Sequence, residues 1–187
     1  EDLKAAEAEV NNISNYYQKS IYLFNKGATL ESALVESEKS LPLLQKLESE
    51  GVITKFTSVS QLLPSIEEQK RRIAKWNEYW SEEKINKVYD NLTTEGKSFQ
   101  FKETAFLPLK TITEKKYTIL SQEESNTLRE SLLNSFIDEK EGQVALTSLI
   151  KTTPENAPVV YDTFASNENS TLFDRKYITD KLVGIVN

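Results

Sequence analysis

Residues 20–58 have the sequence SIYLFNKGATLESALVESEKSLPLLQKLESEGVITKFTS, and this stretch decides the fold. It begins with a short aromatic and aliphatic run, Ser20–Asn25, which has the composition of a β-strand and is bounded by Gly27. A second run, Val52–Ser58, alternates in the manner of a strand. Because one helix-length segment separates the two runs, we expect a βαβ unit with adjacent parallel strands and a right-handed crossover.

The segment between the two runs has the start and stop signals of a helix. Thr29 is a suitable N-cap, and Glu31 places a negative charge near the positive end of the helix. Gly51 is suited to the C′ position, whereas Pro42 should kink or split the helix near Ser40. The predicted buried stripe consists of Leu30, Ala33, Leu34, Leu41, Leu44 and Leu47.

Further along the chain, the sequence predicts one long helix and several shorter elements. Ser65 followed by Glu68 is a capping box, and a helical apolar period continues to about Thr93 before Gly96 ends the helix. The other predicted elements are helices at Glu1–Gln18, Gln122–Asn134 (Leu128, Leu132 and Leu133 inward) and Thr171–Asn187, a turn at Gln61–Pro64, an aromatic segment without clear period at Phe99–Leu109, and strands at Val144–Lys151 and Pro158–Phe164.

Together these elements predict an α+β fold with a small mixed sheet of about four strands, a βαβ start and a long-helix insert. We assign residues 1–187 to a single domain. Residues 1–58 and 144–187 are expected to form its sheet lobe, and residues 65–135 a mainly helical insert.

The composition limits the kinds of catalysis and binding that the chain can support. The 187 residues include no His and no Cys, so the commonest general base, the thiol nucleophile and the commonest metal ligands are missing. We therefore expect neither an enzyme nor a metal or cofactor site. The formal charge of −6 argues against nucleic acid as a partner and against attraction of the whole chain to anionic lipid surfaces.

Several charged groups are candidate sites. Asp162, near Asp174, could hold a cation, although an ion pair with Arg175 or Lys176 is the alternative interpretation. The basic run 70–72 is best explained as a solvated helix face paired with neighbouring acids. The adjacent acid pairs Glu67–Glu68, Glu82–Glu83 and Glu123–Glu124 are expected to be solvated helix surface, because consecutive helical residues do not face each other.

Aromatic side chains are the strongest candidates for substrate contact. Trp76, Tyr79 and Trp80 have i, i+3, i+4 spacing and share one helix face, where they could line a groove for an amphiphile. Plain core packing is the alternative, because it uses the same spacing. The full set of candidate substrate-contact residues is Trp76, Tyr79, Trp80, Phe99, Phe101 and Phe106.

The chain resembles a known family, the predicted exporters of the RND superfamily, MMPL-like type; beyond about Trp80 the resemblance is one of layout only. The resemblance is most specific over Gly27–Trp80. It rests on Gly27–Leu34, Ser37-Glu38, Leu41–Leu47, Glu50–Ile53, Ser58–Ser65, Gln69, Arg72 and Trp76. It implies a polytopic bacterial inner-membrane transporter, of which this chain would be the second large periplasmic loop, with a ferredoxin-like, porter-type βαβ element.

Because the chain lacks an initial Met and both ends have helical patterns without stop signals, we expect a fragment excised between two membrane helices. The partners that the resemblance implies are the rest of the same transporter chain and a hydrophobic, lipid-like substrate. A homo-oligomeric assembly is a further expectation. The domain would act through the substrate path or subunit contacts. The alternatives are a stand-alone periplasmic or secreted binding module with an aromatic groove, a carboxylate-based enzyme, and a structural spacer.

Overall fold

The computed structural model describes residues 19–174, together with Ala6 and Glu9. These residues fall into two compact units. The helical unit comprises residues 66–122, and the sheet unit comprises the described residues before and after it. Ala6 and Glu9 are helical, but the remainder of the predicted first helix and the last helix beyond position 174 lie outside the described residues.

The described residues form the following strands, helices and short turns. In chain order they are β1 (Lys19–Gly27), α1 (Leu30–Ser49), β2 (Ile53–Thr57), α2 (Val59–Leu62), α3 (Ile66–Tyr79), α4 (Glu82–Ser98), a 3₁₀ turn (Glu103–Phe106), α5 (Leu107–Glu114), α6 (Gln122–Leu128), a π turn (Arg129–Leu133), a 3₁₀ turn (Asn134–Phe136), β3 (Ile137–Lys140), β4 (Gln143–Thr152), α7 (Ala157–Phe164) and β5 (Ser170–Phe173).

The fold is α+β, as predicted, and its sheet has the strand order β2-β4-β1-β5. Every pairing is antiparallel, with Ile21 opposite Ile150 and Tyr22 opposite Phe173. Since β1 and β2 are both antiparallel to β4, they are parallel to each other but separated by it. The prediction of adjacent strands was therefore wrong. The arrangement is a split βαβ, and β4-α7-β5 repeats it around β1, which gives the ferredoxin-like strand order.

Strand β5 was not predicted, because Thr171–Phe173 were expected to start the last helix. Strand β3 was not predicted either. It forms a hairpin with β4, in which Ile137 lies opposite Leu146 and Lys140 opposite Gln143. The two residues of the turn, Glu141 and Gly142, have φ values of 52° and 75°. A type I′ turn requires positive φ at both positions, and this type matches the twist of the flanking strands. The sheet is consequently antiparallel and five-stranded rather than mixed and four-stranded.

Helices α1 and α7 cover the same face of the sheet. Leu44 and Leu47 of α1 join Ala157, Val160 and Phe164 of α7 in one buried cluster with the inward residues of the strands. The segment at 158–164 had been predicted as a strand, and this was wrong. Its β-branched composition suggested extended structure, but its apolar residues recur at helical spacing, and Pro158 occupies the first turn, where proline is compatible with a helix.

The ends of α1 match the sequence signals. Thr29 caps the helix: its Oγ1 accepts from the Ser32 N–H (3.2 Å), and Ser32 Oγ accepts from the Thr29 N–H (2.9 Å). Gly51 follows the last turn with a φ of 72°. Pro42, however, does not split the helix, which is continuous from Leu30 to Ser49.

Two other helix predictions were wrong. The predicted long helix is two helices, because Ser81 starts a new one by accepting from the Lys84 N–H (3.3 Å). Gly96 lies inside α4 rather than beyond it. The predicted helix 122–134 changes to a π turn after Leu128, so Leu133 is buried whereas Leu132 is exposed.

No helix within the described part of the chain is long and apolar enough to span a lipid bilayer.

Candidate binding site

The helical unit contains a chain of aromatic contacts that starts on α3. The rings of Trp76 and Trp80 have centroids 6.2 Å apart, and Tyr79 meets Trp80 edge-on at 5.1 Å. Trp76 also meets Tyr117 edge-on at 5.5 Å. No residue of α3 is fully buried: Trp76 is half-buried and Tyr79 is exposed, and Trp80 directly after the helix is half-buried.

One face of α3 and the segment Tyr117–Leu120 form an apolar groove of about 390 Å³. This volume lies within the range of small-molecule sites in proteins. Leu120 N–H donates to Gln69 Oε1 (2.8 Å), which fixes the segment to the helix. The groove is lined by Gln69, Arg72, Ile73, Trp76, Tyr117 and Thr118.

The polar part of the groove is a guanidinium held by a carboxylate. Arg72 Nε donates to Glu68 Oε1 (2.7 Å), while Arg71 donates to both oxygens of the same carboxylate (2.5 and 2.7 Å). The hydrogen bond from Arg71 is the main cause that lowers the pKa of Glu68 to about 2, with Arg72 contributing, against an opposing effect of burial. Glu68 therefore stays ionised at neutral pH, and the predicted pairing of the basic run with this acid is confirmed.

Trp76, one of the groove residues, also has an unsatisfied polar group. Its indole N–H is shielded from solvent and has no hydrogen-bond partner among the described residues. A shielded donor without a partner costs about 1–3 kcal/mol. Such a group is uncommon in folded proteins.

The six candidate aromatic residues do not share one site. Trp76 lines the groove, and Trp80 lines a much smaller cavity beside α4 and α5. Tyr79 is exposed and carries the Lys84 ammonium 3.3 Å from its ring centroid. Phe106 and Phe101 are in contact, with centroids 5.7 Å apart. Phe99 is 74% exposed and lines none of these cavities.

Tyr117 and Thr118, which form the far wall of the groove, were missed from the sequence. They belong to a stretch with no helical period and no turn signal that would fix its position. The β-branched and aromatic residues of Tyr117–Leu120 were the only available signal, and such a composition favours extended structure without indicating what the segment packs against.

The acidic candidates do not form a site. Asp162 is exposed on α7, while Asp174 is buried, pairs with Lys19 and accepts from the Tyr161 hydroxyl (2.7 Å). Arg175 and Lys176, the alternative partners, lie outside the described residues. Of the adjacent acid pairs, all members except the half-buried Glu68 are exposed. The described residues contain no group of three or more acids that could hold a metal ion.

No protein-family model, curated protein or solved structure matches the chain.

Proposed function

We propose that this chain is a non-catalytic extracytoplasmic domain of an exporter of the RND superfamily, MMPL-like type, and that its helical unit binds an amphiphilic substrate in the groove of α3. The observation that carries the binding proposal is the groove itself. It combines apolar walls, Ile73, Trp76 and Tyr117, with the cationic group of Arg72. A medium-length acyl chain fits walls of this kind, and a guanidinium is suited to a carboxylate or phosphate headgroup.

The exporter part of the proposal draws its support from the sheet unit. The split βαβ topology agrees with the porter-type element that the sequence resemblance implies. The motif residues also have structural roles that explain their spacing: Thr29 caps α1 and Gly51 ends it. The side chain of Glu38 accepts from the backbone N–H of Ser65 (2.6 Å) and from its hydroxyl (2.7 Å). In the proposed role, the domain moves substrate by conformational change and makes no covalent bond.

Binding is tested with a dansyl-labelled medium-chain fatty acid below its critical micelle concentration. Saturable binding is expected, and Trp76→Ala should weaken it. A loss of about 80 Å² of apolar contact, at about 25 cal/mol per Å², corresponds to about 2 kcal/mol or about thirtyfold in Kd. Leu62→Ser, at an exposed apolar residue of the sheet unit, is the matched control. Equal affinity of both variants and wild type would exclude the groove.

Selectivity for the headgroup is a second readout. Arg72→Gln should weaken binding of the labelled acid more than binding of the corresponding labelled alcohol, because only the acid presents a charge to the guanidinium. Equal effects on the acid and the alcohol would show that Arg72 contributes only its apolar stem.

Membership of an exporter is tested in the reading frame that encodes the chain. Apolar runs of about 20 residues close to both ends, with more beyond them, are expected. A signal peptide directly before Glu1 together with a stop codon directly after Asn187 would instead favour the stand-alone binding module.

A further inference from the structure

The segment between the end of α4 and the start of the groove wall, residues 97–116, displays an unusual amount of apolar surface. We call it the interfacial segment. Phe99 is 74% exposed and Phe101 is 56% exposed, and neither lines the groove. Exposed apolar groups that follow one another in this way mark interaction surfaces in soluble proteins. The other large exposed apolar residues of the segment are Leu107, Leu109 and Ile112.

The backbone fixes the display of the two phenylalanines. Helix α4 ends with Gln100 in the left-handed region (φ 62°). The Phe101 N–H then donates to the Gly96 carbonyl (3.0 Å), and the Gln100 N–H donates to the Lys97 carbonyl (3.1 Å). These two bonds form a Schellman motif. Phe106 packs so closely on Gly96 that a Cβ there would lie 2.8 Å from its ring. Phe106 therefore anchors the segment, whereas Phe99 and Phe101 face solvent.

The charge of the segment is opposite to that of the chain. It contains five lysines and two glutamates, a formal charge of +3, while the whole chain carries −6. Lys102, Lys115 and Lys116 are exposed. The expectation that the chain is not attracted to anionic lipid concerned its total charge, and it does not apply to a local surface of this composition.

We propose that the interfacial segment docks onto an anionic lipid bilayer surface. Phe99 and Phe101 enter the boundary between headgroups and acyl chains, and the exposed lysines contact anionic headgroups. Phenylalanine and leucine combined with lysine is the composition of interfacial membrane segments, and each lysine near an anionic surface adds attraction.

A lipid surface fits this composition better than a macromolecular partner does. The cores of protein–protein interfaces are depleted of lysine, whereas here lysines alternate with the apolar residues. Single-stranded nucleic acid binds through stacked aromatic rings in a basic groove, but three of the five exposed apolar residues are aliphatic. The inference does not rest on the groove, since it uses no groove residue.

The test is flotation of the purified chain with phosphatidylcholine vesicles that contain increasing fractions of phosphatidylglycerol. Binding is expected to rise with the phosphatidylglycerol fraction and to fall with added salt. The variant carrying both Phe99→Ser and Phe101→Ser should lose at least about tenfold in partition coefficient, because it removes the two inserted side chains. The variant carrying both Lys102→Glu and Lys116→Glu should lose about tenfold or more through charge reversal.

Controls separate surface effects from unfolding and from the groove. Leu62→Ser and Lys140→Glu alter an exposed apolar residue and an exposed lysine of the sheet unit, and they should leave vesicle binding unchanged. Far-UV circular dichroism checks that each variant is folded. The Phe99/Phe101 double variant should bind the dansyl fatty acid in solution as wild type does, so the failure of either proposal can be recognised separately.

Three results would overturn the inference. The first is no vesicle binding by the wild-type chain at any phosphatidylglycerol content. The second is binding that neither double variant weakens. The third is self-association in the absence of lipid that the Phe99/Phe101 double variant abolishes, because that result would assign the segment to a contact between copies of the chain.

Discussion

Gly27, at the junction of β1 and α1, is a position where the structure leaves no room for a side chain. A Cβ built there would lie 2.4 Å from the backbone nitrogen of Ala33 and 2.4 Å from Ser32 Oγ, whereas ordinary contacts are 3.4–4 Å. The first turn of α1 packs directly against the end of the strand at this point. Gly27→Ala should therefore displace the start of the helix by about 1 Å and strain the cap formed by Thr29 and Ser32.

The size of the effect follows from three contributions. Overpacking costs about 1–3 kcal/mol, and loss of an N-terminal cap costs about 0.5–2 kcal/mol. The lower entropy of alanine in the unfolded chain stabilises the variant by about 0.4–1 kcal/mol. Taking the middle of each range, the sum is a destabilisation of about 2.5 kcal/mol. By comparison, Gly51→Ala meets no atom within 4 Å and is strained only by its φ of 72°, so it should cost about 1 kcal/mol.

Urea unfolding followed by far-UV circular dichroism measures both variants. Gly27→Ala should lower the midpoint of the sheet-unit transition by about 1–2 M, clearly more than Gly51→Ala does. Tryptophan fluorescence is a separate probe of the helical unit, which contains both tryptophans, Trp76 and Trp80. A Gly27→Ala protein as stable as wild type, or less affected than Gly51→Ala, would refute the close approach of strand and helix.

Three further substitutions test local backbone and charge. Gln100→Gly should stabilise the helical unit by about 0.5–1 kcal/mol by removing a left-handed non-glycine residue; a lower urea midpoint by tryptophan fluorescence would contradict the Schellman geometry. Glu141→Asn should stabilise the sheet unit by several tenths of a kcal/mol, because asparagine is favoured at that position of a type I′ turn; a lower thermal midpoint would contradict the turn assignment. Glu68→Gln should destabilise the helical unit at neutral pH. Because the pKa of Glu68 is lowered from 4.5 to about 2, its stabilising effect is complete above about pH 5.5 and disappears as the pH falls toward 2. The difference between this variant and wild type should close over that window, and a difference independent of pH would exclude the ionised carboxylate as its source. The same variant should bind the dansyl fatty acid more tightly, because Arg72 loses its competing carboxylate.

Local signals predicted β1, α1, β2 and β4, but not the order of these strands in the sheet. Thr29 fixes the start of α1 through a capping hydrogen bond, and Gly51 fixes its end through a positive φ. Both effects depend on neighbouring residues. The strand that separates β1 from β2 is β4, which lies about ninety residues beyond β2 in the sequence. The spacing of two strands shows that they are joined by a helix, but it contains no information about a third strand that inserts between them.

Two wrong assignments arose from giving composition more weight than position. In the segment Ala157–Phe164, valine and tyrosine favoured a strand, but Pro158 and the spacing of the buried residues favour a helix. In the long helix, Ser81 interrupts an apolar period that otherwise continues, and the two glutamates after it are typical of a first helical turn. In both cases the deciding signal was a single residue at a helix start.

Only one wall of the groove, the face of α3, could be predicted from the sequence. The period of α3 places Gln69, Ile73 and Trp76 on one face, and all three line the groove. The opposite wall comes from a segment about forty residues later. It is held by a hydrogen bond from the Leu120 N–H to the Gln69 side chain, which no residue pattern indicates. The polar end depends on which carboxylate meets Arg72, and several glutamates nearby were equally suitable from sequence alone.

The phenylalanines show what burial adds to composition. As a group, Phe99, Phe101 and Phe106 indicate only an aromatic surface. The structure distinguishes them by exposure: Phe106 packs on Gly96 and is half-buried, whereas Phe99 and Phe101 are mostly exposed, although Phe101 also contacts Phe106. The helical unit thus has one concave apolar surface around Trp76 and one convex apolar surface at the interfacial segment. A groove suits a single amphiphile, and a protruding pair of rings suits a bilayer. Because the two surfaces share no residue, a substitution that removes one activity should leave the other intact.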